Sequence, residues 1–118
     1  MSETRRDDDC VFCKIVAGEI PATLVRESER TLAFRDLNPI APTHVLVITR
    51  DHHGTVGAVA EADPEALVEL VRECQAVAAQ EGLPGYRLVF NSGAAAQQTV
   101  DHVHGHVIGG RAVTWPPG

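Results

Sequence analysis
At 118 residues, with 44% apolar and 22% charged side chains, the chain has the size and composition of one soluble globular domain with its own hydrophobic core. A formal net charge of −6 excludes an overall basic field able to grip nucleic acid by its backbone, although backbone N–H groups and histidines can still bind an anion locally. No stretch approaches the ~20 apolar residues a membrane span needs, so neither nucleic acid nor a membrane is an expected partner.

Met1 to Asp9 is polar, contains three consecutive aspartates and lacks the apolar segment of a secretory signal. It reads as a flexible tail, 1–9, ahead of a single domain, 10–118. The three cysteines cannot all pair within the chain, and nothing suggests export, which points to a reducing cytoplasm. Phe12 to Ala17 reads as one or two helical turns, ended by Gly18 and Pro21. Leu24 to Arg26 and Thr31 to Arg35 are short strand candidates, Pro39 and Pro42 mark a loop, and His44 to Thr49 is a strand rich in β-branched residues.

Asp63-Pro64 has the form of an N-cap followed by proline at the first helical position. Leu67, Leu70, Val71, Cys74, Val77 and Ala78 then recur on one face, predicting a helix from Pro64 to Gln80 that stops at Gly82. Cys74 on that stripe reads as a small buried hydrophobe. Arg87 to Phe90 and Val103 to Ile108 complete the strands. Together these predict an α+β fold: a mainly antiparallel sheet of about five strands, one long helix and a short N-terminal helix.

His102, His104 and His106 fall at alternate positions. In a strand, a period of two puts all three on one face. Imidazole can attack phosphorus, exchange protons near neutral pH or bind metal, so the row is either a nucleophile with helpers or a metal site. The loop before it, Asn91 to Thr99, favours phosphate chemistry. Its small residues let backbone N–H groups approach an anion, and Asn91, Gln98 and Thr99 add neutral donors. Cys10-Val-Phe-Cys13 is a CxxC pair that alone could be redox-active, metal-binding or two plain thiols.

His102-Val-His104-Gly-His106-Val-Ile resembles the signature of the histidine triad (HIT) family, and the Asn91-x-Gly93 loop with Gln98 and Thr99 is similar to its phosphate-binding segment. Ile20-Pro21-Ala22, Ala33 to Pro39, Ala41 to Ile48 and Gly109-Gly110-Arg111 also look like family landmarks. The resemblance runs from Cys10 to Gly118 in the family's order, and the ending Trp115-Pro-Pro-Gly118 resembles the Hint-like branch of purine nucleoside phosphoramidases.

The resemblance implies a HIT-like fold and a hydrolase or nucleotidyl transferase. It would act on purine nucleoside 5′-phosphoramidates or related AMP or GMP conjugates through a covalent nucleotidyl-histidine. His104 would be the nucleophile, His106 would assist at the phosphate or leaving group, Thr99 would assist the leaving group, and His44 would support the triad. Asn91, Gly93, Gln98 and Thr99 would line the phosphate region with His104 and His106. Asp36 would hold the ribose hydroxyls, and Phe12, Ile15, Ile20, Phe34 and Leu37 would form the base pocket.

Relatives with a CxxC pair imply a structural Zn2+ held by Cys10, Cys13, His52 and His102, with His53 as a competitor shifted by one residue. If His102 holds zinc it cannot also move protons. No metal is expected in the chemical step. A homodimer is implied, with the Trp115 segment reaching toward the partner's active site. The competing readings are a dinucleoside polyphosphate hydrolase, against which the Trp-Pro-Pro-Gly ending argues, and a nucleotide-binding regulatory protein with little turnover.

Two positions depart from the family pattern. Gly105 stands where a bulky apolar residue is usual between the second and third histidines. It is expected to loosen packing, since a strand glycine costs about 0.5–1 kcal/mol relative to alanine. Ala94 to Ala96 remove side-chain hydrogen bonds from the phosphate loop, leaving its flexibility and substrate preference open.

Overall fold
The computed structural model describes residues 5–118, so residues 1–4 of the expected tail lie outside the described residues. Helix α1 spans Val11–Val16, strands β1, β2 and β3 span Leu24–Glu27, Thr31–Arg35 and Thr43–Thr49, and helices α2 and α3 span Val56–Ala62 and Pro64–Gln80. Strand β4 is Tyr86–Phe90 and β5 is His104–Gly109, with a 3₁₀ turn at Ala94–Ala96 between them. All pairings are antiparallel, and the spatial order is β1-β2-β3-β5-β4.

The long helix has the predicted bounds. Its N-cap Asp63 accepts from the Ala66 N–H at 3.2 Å, and its apolar stripe of Ala66, Leu70, Cys74, Val77 and Ala78 is buried. Helix α2, which periodicity did not reveal, is capped by Thr55 and buries Val59. The sheet separates two apolar layers. Ala33, Val45, Val47, Val103 and Val107 pack with α3 on one face. Leu32, Phe34, Leu46 and Ile48 pack with Phe12 and the two N-terminal cysteines on the other.

The register decides where the histidines go. His104 lies opposite Ile48 and His106 opposite Leu46, so both belong to the α1 face. His102 lies just ahead of the ladder and continues the alternation on the same face, reaching Cys10 and Cys13. Gly105 faces the other way. The expected looseness is absent there, because a Cβ at Gly105 would meet Phe90 Cζ at 2.9 Å and Leu88 Cδ1 at 3.1 Å. Phe90, directly across the strand pair, fills the space that a larger side chain would occupy, as an aromatic does when it covers a strand glycine.

Candidate functional site
The proton positions of the histidine row follow from what each ring faces. His104 Nδ1 is 2.7 Å from the carbonyl oxygen of His102. A carbonyl only accepts, so Nδ1 carries the hydrogen and Nε2 keeps a free lone pair. Phe12 packs edge-on to this ring at 5.1 Å between centroids and to Phe34 at 5.5 Å. The His104 ring is therefore fixed from behind by a carbonyl and from the side by an aromatic edge.

His106 is set through a second histidine. The backbone N–H of Ile40 donates to His44 Nδ1 at 3.2 Å, so the His44 proton sits on Nε2. That N–H faces His106 Nδ1 at 2.9 Å and Asp36 Oδ2 at 3.4 Å. His106 Nδ1 accepts, which leaves its own N–H on Nε2. Burial, and then the neighbouring His104 and His44, lower the His106 pKa to about 4. Burial likewise lowers the pKa of His44, against the opposing pull of Asp36. His106 is thus a neutral ring that offers one hydrogen-bond donor.

The phosphate-loop residues divide into two sets. Gln98 is buried and turned inward: its amide NH₂ donates to Gly54 O at 2.7 Å and Val100 O at 3.0 Å, while Oε1 accepts from the Gly93 N–H at 2.9 Å. Asn91 donates to Ala96 O at 2.7 Å. These two side chains shape the loop, helped by Gly93 at φ 90° and Gln97 at φ 62°, so the turn over Ala94–Ala96 is held by hydrogen bonds despite its alanines. Thr99 is exposed beyond it.

Of the expected base pocket, Phe12 and Phe34 are buried together and Ile15 packs against the same cluster. Ile20 lies at the half-buried end of the turn after α1, and Leu37 stands apart at 92% exposure on the loop between β2 and β3. Asp36 is on that loop, its Oδ1 accepting from the Asn38 N–H at 2.7 Å. The contact between Asp36 and His44 was not anticipated from sequence. Only the β2–β3 pairing, Arg35 opposite Val45, brings the two near each other.

A second cluster lies beside the first. Cys10, Cys13, His52 and His102 bring four potential ligand atoms within 4.8 Å of one another. Cys10 Sγ is 3.3 Å and Cys13 Sγ 3.6 Å from His102 Nδ1, and Cys13 Sγ is 3.4 Å from His52 Nδ1. With Zn–S about 2.3 Å and Zn–N about 2.05 Å, a tetrahedral ion sets S···N edges of roughly 3.6 Å, so the donor set and spacing fit such an ion.

The tautomer fits as well. His102 Nε2–H donates to Thr49 O at 2.7 Å, leaving the Nδ1 lone pair toward the sulfurs. Burial lowers the His102 pKa to about 4, the state a ligand needs, and burial raises the Cys13 thiol. His53 is excluded from the cluster: its Nδ1 faces Arg5 Nη1 at 3.4 Å and its carbonyl accepts from the Val103 N–H at 2.7 Å. Cys74 lies elsewhere, on the buried face of α3, and burial pushes its thiol up to about 12.

The two clusters share a backbone. The His102 side chain belongs to the cysteine cluster, while its carbonyl orients His104. One histidine row therefore faces two clusters.

A family model for the HIT domain matches residues 17–113. The 14 kDa zinc-binding protein of Zea mays is 48% identical over 120 residues, 97% of this chain and 93% of the relative. Adenylylsulfatase HINT1 of Arabidopsis thaliana is 41% identical, over 100% of this chain and 82% of the relative. The crystal structure of a HIT family hydrolase from Legionella pneumophila Philadelphia 1 superimposes with a TM-score of 0.89 at 49% identity, over 93% of this chain and 100% of that one.

Proposed function
The chain belongs to the HIT domain family of nucleotide-binding hydrolases, and from that membership we propose that it cleaves purine nucleoside 5′-phosphoramidates or related AMP conjugates through a covalent nucleotidyl–His104 intermediate. The observation that carries this reading is the 2.7 Å contact between His104 Nδ1 and the His102 carbonyl. It leaves Nε2 unprotonated and fixed in direction, which a nucleophile toward phosphorus requires.

In the first step His104 Nε2 bonds to the α-phosphorus as the bond from phosphorus to the leaving amine breaks. The amine takes that bond's electron pair and a proton that solvent supplies through the Thr99 hydroxyl, which gives one proton and gains another. In the second step a water oxygen bonds to phosphorus, the electron pair of the Nε2–P bond returns to His104, and the water's surplus proton leaves to solvent through the Thr99 hydroxyl. His106 Nε2–H and the backbone N–H of Thr99 stabilise the phosphoryl oxygens, a role suited to preorganised donors, while the N–H groups of Gly93, Ala96, Gln97 and Gln98 donate within the loop and hold its shape. Asp36 takes the ribose hydroxyls, and Phe12, Ile15 and Phe34 take the base, with Ile20 and Leu37 at its edge. The name of the Arabidopsis relative, an adenylylsulfatase, supports an AMP conjugate as substrate.

The same reading includes a structural Zn2+ on Cys10, Cys13, His52 and His102, supported by the donor spacing and by the name of the Zea mays relative. When bound, such an ion supplies a cross-link between α1 and the sheet and takes no part in the reaction. A cytoplasmic homodimer whose Trp115 segments approach the partner's active sites completes the proposal; Trp115 is 82% exposed.

His104→Ala should abolish turnover of an adenosine 5′-phosphoramidate while AMP affinity, measured by calorimetry, stays within a few-fold. Unchanged turnover would move the nucleophile elsewhere. AMP binding by a wild-type protein that turns over no conjugate would leave a nucleotide-binding regulatory protein.

A further inference from the structure
We propose that the segment from Arg5 to Asp7 is a clasp on the Cys10, Cys13, His52 and His102 site, whose main chain holds all but the last of these and sets how fast zinc leaves. This rests on the structural-zinc reading above and adds what keeps the ion in place.

The ligand residues are held in two ways. His102 is fixed from the sheet, its Nε2–H donating to Thr49 O at 2.7 Å. A ligating ring is usually fixed by such a bond from its far nitrogen. The His52 ring, whose Nδ1 faces Cys13 Sγ, has no such bond among the described residues. Its backbone is held instead. The His52 N–H donates to the Arg5 carbonyl at 2.8 Å, and the Arg5 N–H donates to the neighbouring Asp51 Oδ1 at 3.1 Å.

Asp7 does the same for the cysteines. Its carbonyl accepts from the Cys10 N–H at 3.0 Å, and its N–H donates to Cys13 Sγ at 3.5 Å. The sequence explains this fold-back. Asp7 Oδ1 accepts from the Asp9 N–H at 2.9 Å, the turn an aspartate forms with the backbone two residues on. That turn carries Asp7 over the start of α1, and Arg5 then reaches His52.

Zinc leaves such a site by losing its ligands in turn, and Cys13 and His52 are restrained by one short piece of chain. Arg5 and Arg6 also wall, with Arg50, a cavity of about 270 Å³ that reaches Cys13, so a chelator entering there meets the segment first. Side-chain charge counts for less. Arg6 bonds Asp8 at 2.7 Å and Glu19 at 2.8 Å, exposed pairs of a kind that stabilise little. The coupling is reciprocal: a segment that holds the ion is held by it in equal measure.

The test follows transfer of zinc from the loaded protein to a chromophoric pyridylazo chelator. A chain in which Met1 is followed directly by Asp8 should release zinc about tenfold faster, the scale on which losing the groups behind metal ligands acts. Asp7→Pro, which lacks both the N–H and the turn carboxylate, should approach that rate. Asp7→Ala, which lacks only the carboxylate, should lie between it and the wild type, while Asp7→Asn and Arg6→Gln should match the wild type. By hydrogen exchange, the Cys10 and His52 amides should be slower with zinc than without it, and the difference should shrink in the shortened chain. Far-ultraviolet circular dichroism of each variant should match the wild type, showing an intact fold.

Release at the wild-type rate from both the shortened chain and Asp7→Pro would overturn the clasp and leave the zinc site standing. Release from Arg6→Gln as fast as from the shortened chain would place the hold on side-chain charge and overturn it as well. Wild-type protein that retains no zinc after loading would remove both the clasp and the site.

Discussion
His104, His102 and His44 show how a ring's chemistry is set by the group behind it. A carbonyl behind His104 leaves its Nε2 lone pair outward, a carbonyl behind His102 turns its Nδ1 lone pair toward the sulfurs, and an N–H behind His44 turns its proton toward His106. The alternation of histidines was legible in the sequence. The groups that face each ring were not, because His102 meets Thr49 O, 53 residues away, and His44 meets His106 Nδ1, 62 residues away. Gln98 was legible as a polar loop residue, but its inward orientation depends on Gly54, 44 residues away. Gly105 makes the same point about packing, since its companion is Phe90 on another strand. Gly105→Leu should cost about 1–3 kcal/mol by overpacking against Phe90. Adding Phe90→Ala should recover part of it, measured as a coupling energy from chemical denaturation. Additive losses would show that Phe90 does not fill the glycine's space.

Among the elements, α3 was legible to its ends because cap, proline and apolar period agree. Helix α2 was not, since its seven residues include one glycine and three alanines and bury only Val59. Helix α1 lies between these cases. At six residues it is far below the length at which a helix holds by itself, about 12–15 residues. It depends on the burial of Phe12 and Cys13. Purified protein should contain about one zinc per chain. Removing the ion with a chelator under reducing conditions, or substituting Cys10→Ser and Cys13→Ser, should lower Tm by at least ~5 °C and open the N-terminal segment to proteolysis. A Tm indifferent to chelation would dismiss the cross-link.

At the scale of the molecule, the sheet order was the least legible feature. The strand types were evident, but β5 enters between β3 and β4, a choice made by which faces bury apolar surface rather than by local pattern. That choice buries the histidine face, with a consequence for stability. The pKa of His106 is lowered to about 4 and that of His44 is also lowered, both first by burial, from an ordinary 6.5. As pH falls below about 6.5, protons bind the unfolded chain before the folded one. The stability present above that pH is then lost progressively toward about 4. The urea midpoint should be lower at pH 5 than at pH 7, and His106→Gln should flatten the difference; a midpoint that rises on acidification would contradict the burial of neutral rings.

The central claim concerns one bond, between His104 Nε2 and phosphorus, and it can be observed directly. Protein mixed with an adenosine 5′-phosphoramidate and quenched within milliseconds should carry a single added AMP, located on His104 by peptide mass spectrometry and formed no more slowly than the steady-state turnover. Turnover without any labelled peptide, or a label on another residue, would contradict the account.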